Sequence, residues 1–173
     1  MDLKQYIARI ENFPKLGIVF RDITPLLTHP KAFTHAIGVI VRKWAGSADA
    51  VAALDARGFL FGSPVALALN LPLIMIRKKG KLPGKVLSHT YALEYGEDTI
   101  EMKPDVVAKG MRVLIVDDLL ATGGTAVAAC SLIQKAGGIV AGCAFVAELD
   151  HLYGRAKLSP HPVQSLVVYS GEE

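Results

Sequence analysis

One stretch of the chain decides the fold, and it reads Arg112-Val113-Leu114-Ile115-Val116-Asp117-Asp118-Leu119-Leu120-Ala121-Thr122-Gly123-Gly124-Thr125-Ala126. Residues 113–116 are aliphatic and mostly β-branched, which is typical of a strand buried on both faces of a parallel sheet. Two adjacent acids follow, then a loop of small and hydroxyl residues, and a helical pattern begins at about Gly124. The stretch therefore predicts a strand–loop–helix unit of an α/β protein, with polar groups at the carboxyl end of the strand.

The loop in this unit has the composition of a phosphate-binding site. Gly123 and Gly124 allow backbone N–H groups to approach an anion, because no Cβ stands in the way. Thr122 and Thr125 add hydroxyl donors, and the helix directs its positive end at the same point. Ligands of open parallel sheets bind outside the carboxyl ends of the strands. We therefore predict a phosphate site formed by Ala121, Thr122, Gly123, Gly124 and Thr125.

The two acids restrict the kind of ligand. Asp117 and Asp118 would repel a bare phosphate, so the ligand should also carry hydroxyl groups or a divalent cation. A ribose 5-phosphate meets this condition, with its 2′- and 3′-hydroxyls on the carboxylates. One alternative is a tight turn with two solvated acids. Another is a signalling receiver domain, but its acids would lie near the N-terminus and precede a phosphoacceptor Asp, whereas Lys157 lies about 40 residues further on here.

Composition limits the class of protein. The chain has 173 residues, 51% hydrophobic and 20% charged, which suits one domain with a substantial core. Its net charge of +3 suits an anionic small molecule and is too weak and scattered to predict nucleic-acid binding. We expect neither a membrane span nor a secretory signal, since no apolar run is long enough. Cys130 and Cys143 are expected to be buried, reduced thiols, as in a cytoplasmic protein.

A second strand–loop–helix unit comes earlier in the chain. Residues 50–54 predict a buried strand, and a helix follows from about 58 to 70. The loop between them reads Asp55-Ala56-Arg57-Gly58, and the guanidinium fork of Arg57 suits a diphosphate. Residues 72–76 predict the next strand, which leads into a run of cations from Arg77 to Lys85. A run of charges is usually a solvated face. Because both strands should end at the same edge of the sheet, however, we predict a pyrophosphate site that includes at least Arg77 and Lys81.

Other segments predict covers over this edge. Residues 2–11 predict a short amphipathic helix, and residues 12–27 predict an irregular loop rich in aliphatic groups, which either caps the core or forms a hood over an aromatic ligand. Residues 31–44 predict a core helix. Residues 86–103 alternate between apolar and polar around a glycine, which predicts an antiparallel hairpin. Long loops of this kind are often active-site lids, so Glu94 is either a candidate catalytic acid on such a lid or a surface glutamate.

The remaining elements complete an alternating α/β pattern. A helix after Gly124 should end at Gly137-Gly138, strands should occupy residues 139–148 and 165–169, and a short helix should lie at 154–158. The five histidines are scattered without metal-ligand spacing, and no nucleophile triad stands out.

Taken together, the chain resembles the type I phosphoribosyltransferases, and from end to end the adenine phosphoribosyltransferases among them. Four segments carry the resemblance: Phe13-Pro14 with Gly17-Ile18-Val19-Phe20-Arg21-Asp22; Asp55-Ala56-Arg57-Gly58-Phe59-Leu60-Phe61-Gly62; Ile76-Arg77-Lys78-Lys79-Gly80-Lys81-Leu82-Pro83-Gly84 with Tyr91-Ala92-Leu93-Glu94-Tyr95-Gly96; and residues 116–125. The resemblance implies one domain over residues 1–173, with a mostly parallel sheet flanked by helices, a hood at about 1–28 and a flexible lid hairpin at about 80–103.

The resemblance also implies the chemistry. The reaction is adenine plus 5-phosphoribosyl 1-pyrophosphate giving AMP and pyrophosphate in purine salvage, with Mg²⁺ held mainly by the substrate and without a firm direct protein ligand. A cytoplasmic homodimer is implied. Two alternatives remain: a phosphoribosyltransferase for a 6-oxopurine such as xanthine or guanine, and a non-catalytic regulator that senses phosphoribosyl pyrophosphate.

Roles for individual residues follow from the same resemblance. Glu94, Asp117, Asp118 and Arg57 are the implied catalytic groups. Pyrophosphate is implied to bind at Asp55, Ala56, Arg57, Arg77 and Lys81, and adenine at Val19, Phe20 and Arg21, while Tyr95 on the lid would help to exclude water. The bond between Asp55 and Ala56 is expected to be a cis non-proline peptide.

Overall fold

The computed structural model describes residues 1–93 and 96–171. Across this part of the chain, seven strands form one sheet in the order β5-β6-β4-β3-β7-β8-β9, and two more pair in a separate ribbon. The strands are β1 (Ala8–Glu11), β2 (Val19–Asp22), β3 (Ala50–Leu54), β4 (Leu73–Lys78), β5 (Leu87–Ala92), β6 (Glu97–Met102), β7 (Arg112–Leu120), β8 (Ile139–Leu149) and β9 (Val163–Tyr169). The helices are α1 (Thr24–Leu27), α2 (Pro30–Trp44), α3 (Gly58–Leu69), α4 (Gly124–Lys135) and α5 (Gly154–Lys157).

The centre of the sheet is parallel, as the apolar runs predict. Strand β3 pairs in parallel with β4 on one side and with β7 on the other, and β8 and β9 extend the parallel part beyond β7. Every residue of β3 is buried, because helices cover both faces there. The parallel strands therefore end at one edge, where the loops after β3, β4, β7 and β8 meet.

Helices flank the sheet on both faces and give it two apolar cores. Helix α4 packs on one face, and its core includes Ile115, Phe145 and the two cysteines. Helices α2 and α3 pack on the other face, around residues such as Trp44 and Phe61. Cys130 and Cys143 are free and buried, with their sulfur atoms 3.9 Å apart. The prediction of buried, unpaired thiols is confirmed.

The N-terminal helix predicted over residues 2–11 is wrong. Only Leu3–Tyr6 forms a helical turn, of the 3₁₀ type, and the chain then enters β1. Strand β1 pairs with β2 in an antiparallel ribbon, with Ile10 opposite Phe20. Ile10 is 42% exposed, so the apolar stripe of the predicted helix is not buried along its whole length. Pairing with β2 overrides the weak helical periodicity, and the segment 12–27 contains regular structure, β2 and α1, that was not predicted.

The hairpin predicted near residues 86–103 is confirmed. Strands β5 and β6 pair antiparallel, with Thr90 opposite Thr99, and β6 joins the sheet through β4. Two predicted lid residues, Glu94 and Tyr95, lie outside the described residues. In the described ranges, the structure has no helix whose length and apolar character would let it span a membrane.

Candidate active site

The loop after β7 forms a small cradle at the N-terminus of α4. A cavity of about 100 Å³ is lined by Asp117, Leu119, Leu120, Ala121, Thr122, Gly123, Gly124, Thr125 and Ala126. Gly123 has a φ of +81°, a conformation that side-chain-bearing residues rarely adopt. The first N–H groups of a helix lack partners within that helix, so they are available to an anion in this cradle. The five loop residues selected from the sequence are thus brought together.

The turn at Gly154, which begins α5, packs against this loop, and the sequence analysis did not identify that contact. A Cβ on Gly154 would lie 2.2 Å from the carbonyl oxygen of Ala121 and 3.0 Å from the nitrogen of Gly123. Arg155 fastens the turn to β8, because its Nε donates to Glu148 Oε1 over 2.9 Å. The sequence predicts a short helix that begins at residue 154. It does not predict that this helix contacts the loop some 30 residues earlier in the chain, because such a contact produces no periodic pattern.

The two acids lie at the cradle in different environments. Asp118 is 5% exposed and forms an ion pair with Arg57, with 2.9 Å between Asp118 Oδ2 and Arg57 Nε. Asp117 Oδ1 accepts a hydrogen bond from the Asp118 amide over 2.8 Å. Loss of hydration, followed by the negative charge of Asp118, raises the pKa of Asp117 well above its usual range. One carboxylate is therefore paired with a guanidinium, while the other binds a proton more readily than usual.

Space for Asp117 comes from Gly58 at the start of α3. A Cβ at Gly58 would lie 2.8 Å from Asp117 Oδ1. The loop after β3 and the acids of β7 are therefore in direct contact. Arg57, which was selected for pyrophosphate and catalysis, lies against the acid pair in this structure.

The residues selected for pyrophosphate converge at the ends of β3 and β4. Leu54 and Ile76 are partners in the parallel ladder, which places the next residues of both strands side by side. Arg77 Nε lies 3.0 Å from Asp55 Oδ2, and Arg77 Nη1 donates to the carbonyl oxygen of Lys81 over 3.4 Å. The bond from Asp55 to Ala56 is cis, so this prediction is confirmed.

A larger cavity opens between the hood and the end of β8. Its volume is about 370 Å³, and it is lined by Gly17, Ile18, Val19, Arg21, Thr122, Leu149, His151, Leu152 and Gly171. Val19 and Arg21, both selected for the base, line this cavity. Thr122 lines both this cavity and the cradle, so the two cavities adjoin at this residue.

Two aromatic contacts define the walls of the hood. Phe20, also selected for the base, packs edge-on against Phe13 with ring centroids 5.2 Å apart, and the Arg57 guanidinium lies 5.3 Å from its ring. Arg21 is 7% exposed and stacks 3.8 Å from the ring centroid of Tyr169. Phe20 therefore lies on the side of Arg57, whereas Arg21 is fixed by the last strand of the sheet.

The C-terminal wall of the larger cavity was missed by sequence reasoning. Leu149 ends β8, and His151 and Leu152 follow it directly. The rule that ligands bind outside the carboxyl ends of parallel strands could have identified this segment. It was overlooked because it carries no glycine-rich or charged pattern.

The donor set of the site suits a metal ion that arrives with its ligand. Among the residues that the structure describes, no group of three or more His, Cys, Asp and Glu side chains is arranged to hold a metal ion. The paired carboxylates Asp117 and Asp118 are hard oxygen donors of the kind that Mg²⁺ prefers. They fit a cation that takes most of its ligands from a phosphorylated substrate.

Comparison with known proteins gives a consistent result. The family model described as phosphoribosyl transferase domain matches residues 22–166. An adenine phosphoribosyltransferase of Koribacter versatilis is 50% identical over 168 residues, which cover 96% of this chain and 92% of that protein. The crystal structure of adenine phosphoribosyltransferase from Thermoanaerobacter pseudethanolicus has a TM-score of 0.93 and 47% identity, covering 96% of this chain and 98% of the other. The Saccharomyces cerevisiae enzyme, crystallised with adenine and an imino-altritol bisphosphate, has a TM-score of 0.90 and 39% identity, covering 95% and 96%.

Proposed function

The chain belongs to the phosphoribosyl transferase domain family, and we propose from its site that it acts as an adenine phosphoribosyltransferase, which converts adenine and 5-phosphoribosyl 1-pyrophosphate to AMP and pyrophosphate in purine salvage. One observation carries the proposal. The small cradle and the 370 Å³ cavity share Thr122, and the acids lie between the cradle and the loop of Arg57. The ribose would thus lie at the acids, between a 5′-phosphate in the cradle and a pyrophosphate near Arg57, with the base in the adjoining cavity.

The cradle and the acids are proposed to hold the ribose 5-phosphate. The backbone N–H groups at residues 121–125 would bind the 5′-phosphate, and Asp117 and Asp118 would accept hydrogen bonds from the ribose 2′- and 3′-hydroxyls. Departure of pyrophosphate leaves positive charge on the anomeric carbon, which a nearby carboxylate stabilises electrostatically. The ion pair with Arg57 holds the Asp118 carboxylate in place for this role.

The leaving group is proposed to depart toward the ends of β3 and β4. Arg77 and Lys81 would neutralise negative charge on the pyrophosphate, and the backbone at Ala56 would contact its oxygens. Asp55 orients Arg77 through their ion pair. Mg²⁺, held mainly by the substrate, would supply further charge neutralisation at the leaving group.

The larger cavity is proposed to bind adenine. Backbone groups of residues 19–21 would read the polar edge of the base, and Leu149 and Leu152 would pack on its ring. Phe20 would close the side that faces Arg57. Glu94 is proposed to handle the proton of the attacking imidazole ring, and Tyr95 to exclude water, which would otherwise attack the same cation.

A homodimer is proposed from an exposed apolar face. Helix α3 exposes Leu60 (43%) and Leu67 (82%), which lie seven residues apart and so on one side of the helix. Strand β4 exposes Leu73 (40%) and Met75 (48%) on one side, and Gly62 of α3 lies close to Leu73. An apolar face of this kind suits a stable contact between two copies. The free, buried thiols support a cytoplasmic location.

The proposed activity is tested by incubating the protein with labelled phosphoribosyl pyrophosphate, Mg²⁺ and one purine at a time. We expect AMP from adenine, and rates at least about 100-fold lower with guanine, xanthine or hypoxanthine, because a base that offers the wrong donors leaves polar groups of the site unpaired. Nucleotide formation from guanine but not adenine would establish the 6-oxopurine alternative. Phosphoribosyl-pyrophosphate binding without turnover of any base would establish the regulator.

A further inference from the structure

The hairpin β5–β6 is joined to the phosphate cradle by one side chain. The Tyr91 hydroxyl oxygen lies 3.0 Å from Thr125 Oγ1 and 3.2 Å from Asp98 Oδ2. Asp98 is paired in turn with the ammonium of Lys78 at the end of β4. A continuous chain of polar groups therefore runs from β4, through the hairpin, to the first turn of α4.

Packing fixes the position of the tyrosine ring. The Tyr91 ring lies over Gly124, where a Cβ would be only 3.8 Å from the nearest ring carbons. The side chain also packs against the core on the α4 face of the sheet. Further along the same helix, Lys135 Nζ donates to the carbonyl oxygen of Ser88 over 3.2 Å. Strand β5 is thus held along α4 at two points, and the Tyr91 hydroxyl has little freedom to move away from Thr125.

The phenol can serve Asp98 or Thr125, but not both as a donor, since it carries a single proton. The hydrogen bond from Lys78 lowers the pKa of Asp98, so this carboxyl group is a charged acceptor. It also accepts from the Thr99 amide over 2.8 Å. Asp98 therefore retains two donors, Lys78 and the Thr99 amide, if the phenol proton turns toward Thr125.

An anion in the cradle would favour that second arrangement. The Thr125 hydroxyl also has one proton, which a phosphate oxygen would accept in a charge-assisted hydrogen bond. The oxygen of Thr125 is then best satisfied by accepting from Tyr91. Hydrogen bonds in such a chain polarise one another, so each is stronger than it would be alone.

We propose that Tyr91 is a positioning residue for the 5′-phosphate, which orients Thr125 Oγ1 as a donor and couples the hairpin to an occupied cradle. The proposal rests on the proposed function only in taking the ligand of the cradle to be a phosphate. Tyr91 acts through Thr125, so its removal affects ligands that carry the phosphate and spares those that lack it.

The test compares Tyr91→Phe with Thr90→Val, a matched control on the neighbouring residue of the same strand. The Thr90 hydroxyl lies 2.9 Å from that of Thr99 and belongs to the hairpin alone. Calorimetry measures the Kd of AMP and of adenosine for each variant. We expect Tyr91→Phe to weaken AMP binding by about fivefold to tenfold, the scale of one lost hydrogen bond, and to leave adenosine binding unchanged. The KM for phosphoribosyl pyrophosphate should rise by a similar factor, with kcat changed by less than about twofold.

A double-mutant cycle gives an independent readout. In a Thr125→Val background, Tyr91→Phe should have no further effect on AMP affinity, because the group it orients is gone. The proposal would be overturned if Tyr91→Phe left AMP affinity unchanged or lowered adenosine affinity by an equal factor. It would also be overturned if Thr90→Val lowered AMP affinity equally, or if Tyr91→Phe still lowered AMP affinity in the Thr125→Val background. These are binding measurements without turnover, so a lack of transferase activity, which would refute the proposed function, does not alter their outcome.

Discussion

Asp117 is the residue at which function opposes stability most directly. It lines the cradle, next to a second carboxylate, Asp118, which forms an ion pair with Arg57. Both loss of hydration and the charge of Asp118 disfavour its ionised form. Under the proposed function, the acid pair would stabilise positive charge on a sugar, and the same concentration of negative charge makes the folded protein less stable.

Replacing Asp117 with Asn should therefore stabilise the protein and impair catalysis. The Asn side chain keeps an oxygen acceptor for the Asp118 amide but removes the charge. We expect the melting temperature to rise by about 2–4 °C, and the rate of AMP formation to fall by about tenfold or more. The matched control is Asp118→Asn, which breaks the ion pair with Arg57 and should lower the melting temperature. A lower melting temperature for Asp117→Asn would contradict this account.

The stabilisation should depend on pH in a defined direction. A carboxyl group whose folded-state pKa lies above its ordinary value of 3.8 costs the protein stability as pH rises from 3.8 through the folded-state pKa. The Asn variant has no such group. The difference in melting temperature between variant and wild type should thus be small near pH 4 and increase toward neutral pH. A difference that is constant over this range would show that the pKa of Asp117 is not raised.

Most of the polar site could be predicted residue by residue, because its members follow parallel strands directly. Asp55 and Arg77 meet since β3 and β4 end side by side, and Asp117 and Asp118 come with their strand. The different surroundings of Phe20 and Arg21 could not be predicted in this way. They depend on Arg57 and Tyr169, which are distant in sequence and are brought close by tertiary packing.

At the scale of elements, the loop that is proposed to bind phosphate depends on a turn that follows another strand. The turn at Gly154 approaches Ala121 and Gly123 so closely that no side chain fits between them. Glu148 at the end of β8 is buried and bound to Arg155, which holds the turn in place. The geometry of the cradle is therefore set jointly by the loops after β7 and β8.

Gly154→Ala should displace the phosphate loop. The added methyl group would overlap the Ala121 carbonyl oxygen, and relief requires a backbone shift that costs about 1–3 kcal/mol of stability. We expect AMP affinity to fall by about tenfold or more, measured by calorimetry, with a lower melting temperature. Gly38→Ala is the control, because the nearest atom there is the flexible end of Arg42 and the site lies elsewhere. Wild-type AMP affinity in Gly154→Ala would show that the turn does not set the loop.

Element types were predictable where the periodicity was strong and the neighbours were local. The buried runs of β3 and β8 and the stripe of α2 match their predicted positions closely, whereas β7 extends beyond the predicted run 113–116, through both acids to Leu120. The N-terminal segment failed because its structure is set by pairing between β1 and β2. Strand pairing between short, half-exposed segments leaves little periodic signal.

At the scale of the whole molecule, the fold class followed from the alternation of buried strands and helices. The exposed apolar face of α3 and β4 could not be predicted from the sequence, because an apolar residue in a helical pattern normally indicates burial within the same chain. Leu67 shows the difference, because it fits the helix pattern and yet is 82% exposed.

If the proposed homodimer forms through this face, placing a charge there should change the mass of the protein in solution. Leu67→Glu should shift the protein from dimer to monomer, because a carboxylate at the centre of an apolar contact remains unpaired when buried. Light scattering coupled to size-exclusion chromatography measures the mass directly. The control is Ile139→Glu, which charges an exposed apolar residue at the other end of the sheet and should leave the mass unchanged. A wild-type protein with the mass of one chain would refute the dimer.

The most direct test of the central claim is a crystal structure with AMP bound. We predict the 5′-phosphate in the cradle against residues 121–125, the ribose hydroxyls on Asp117 and Asp118, and adenine in the cavity between the hood and the end of β8. A phosphate bound elsewhere, or a base outside that cavity, would contradict the account.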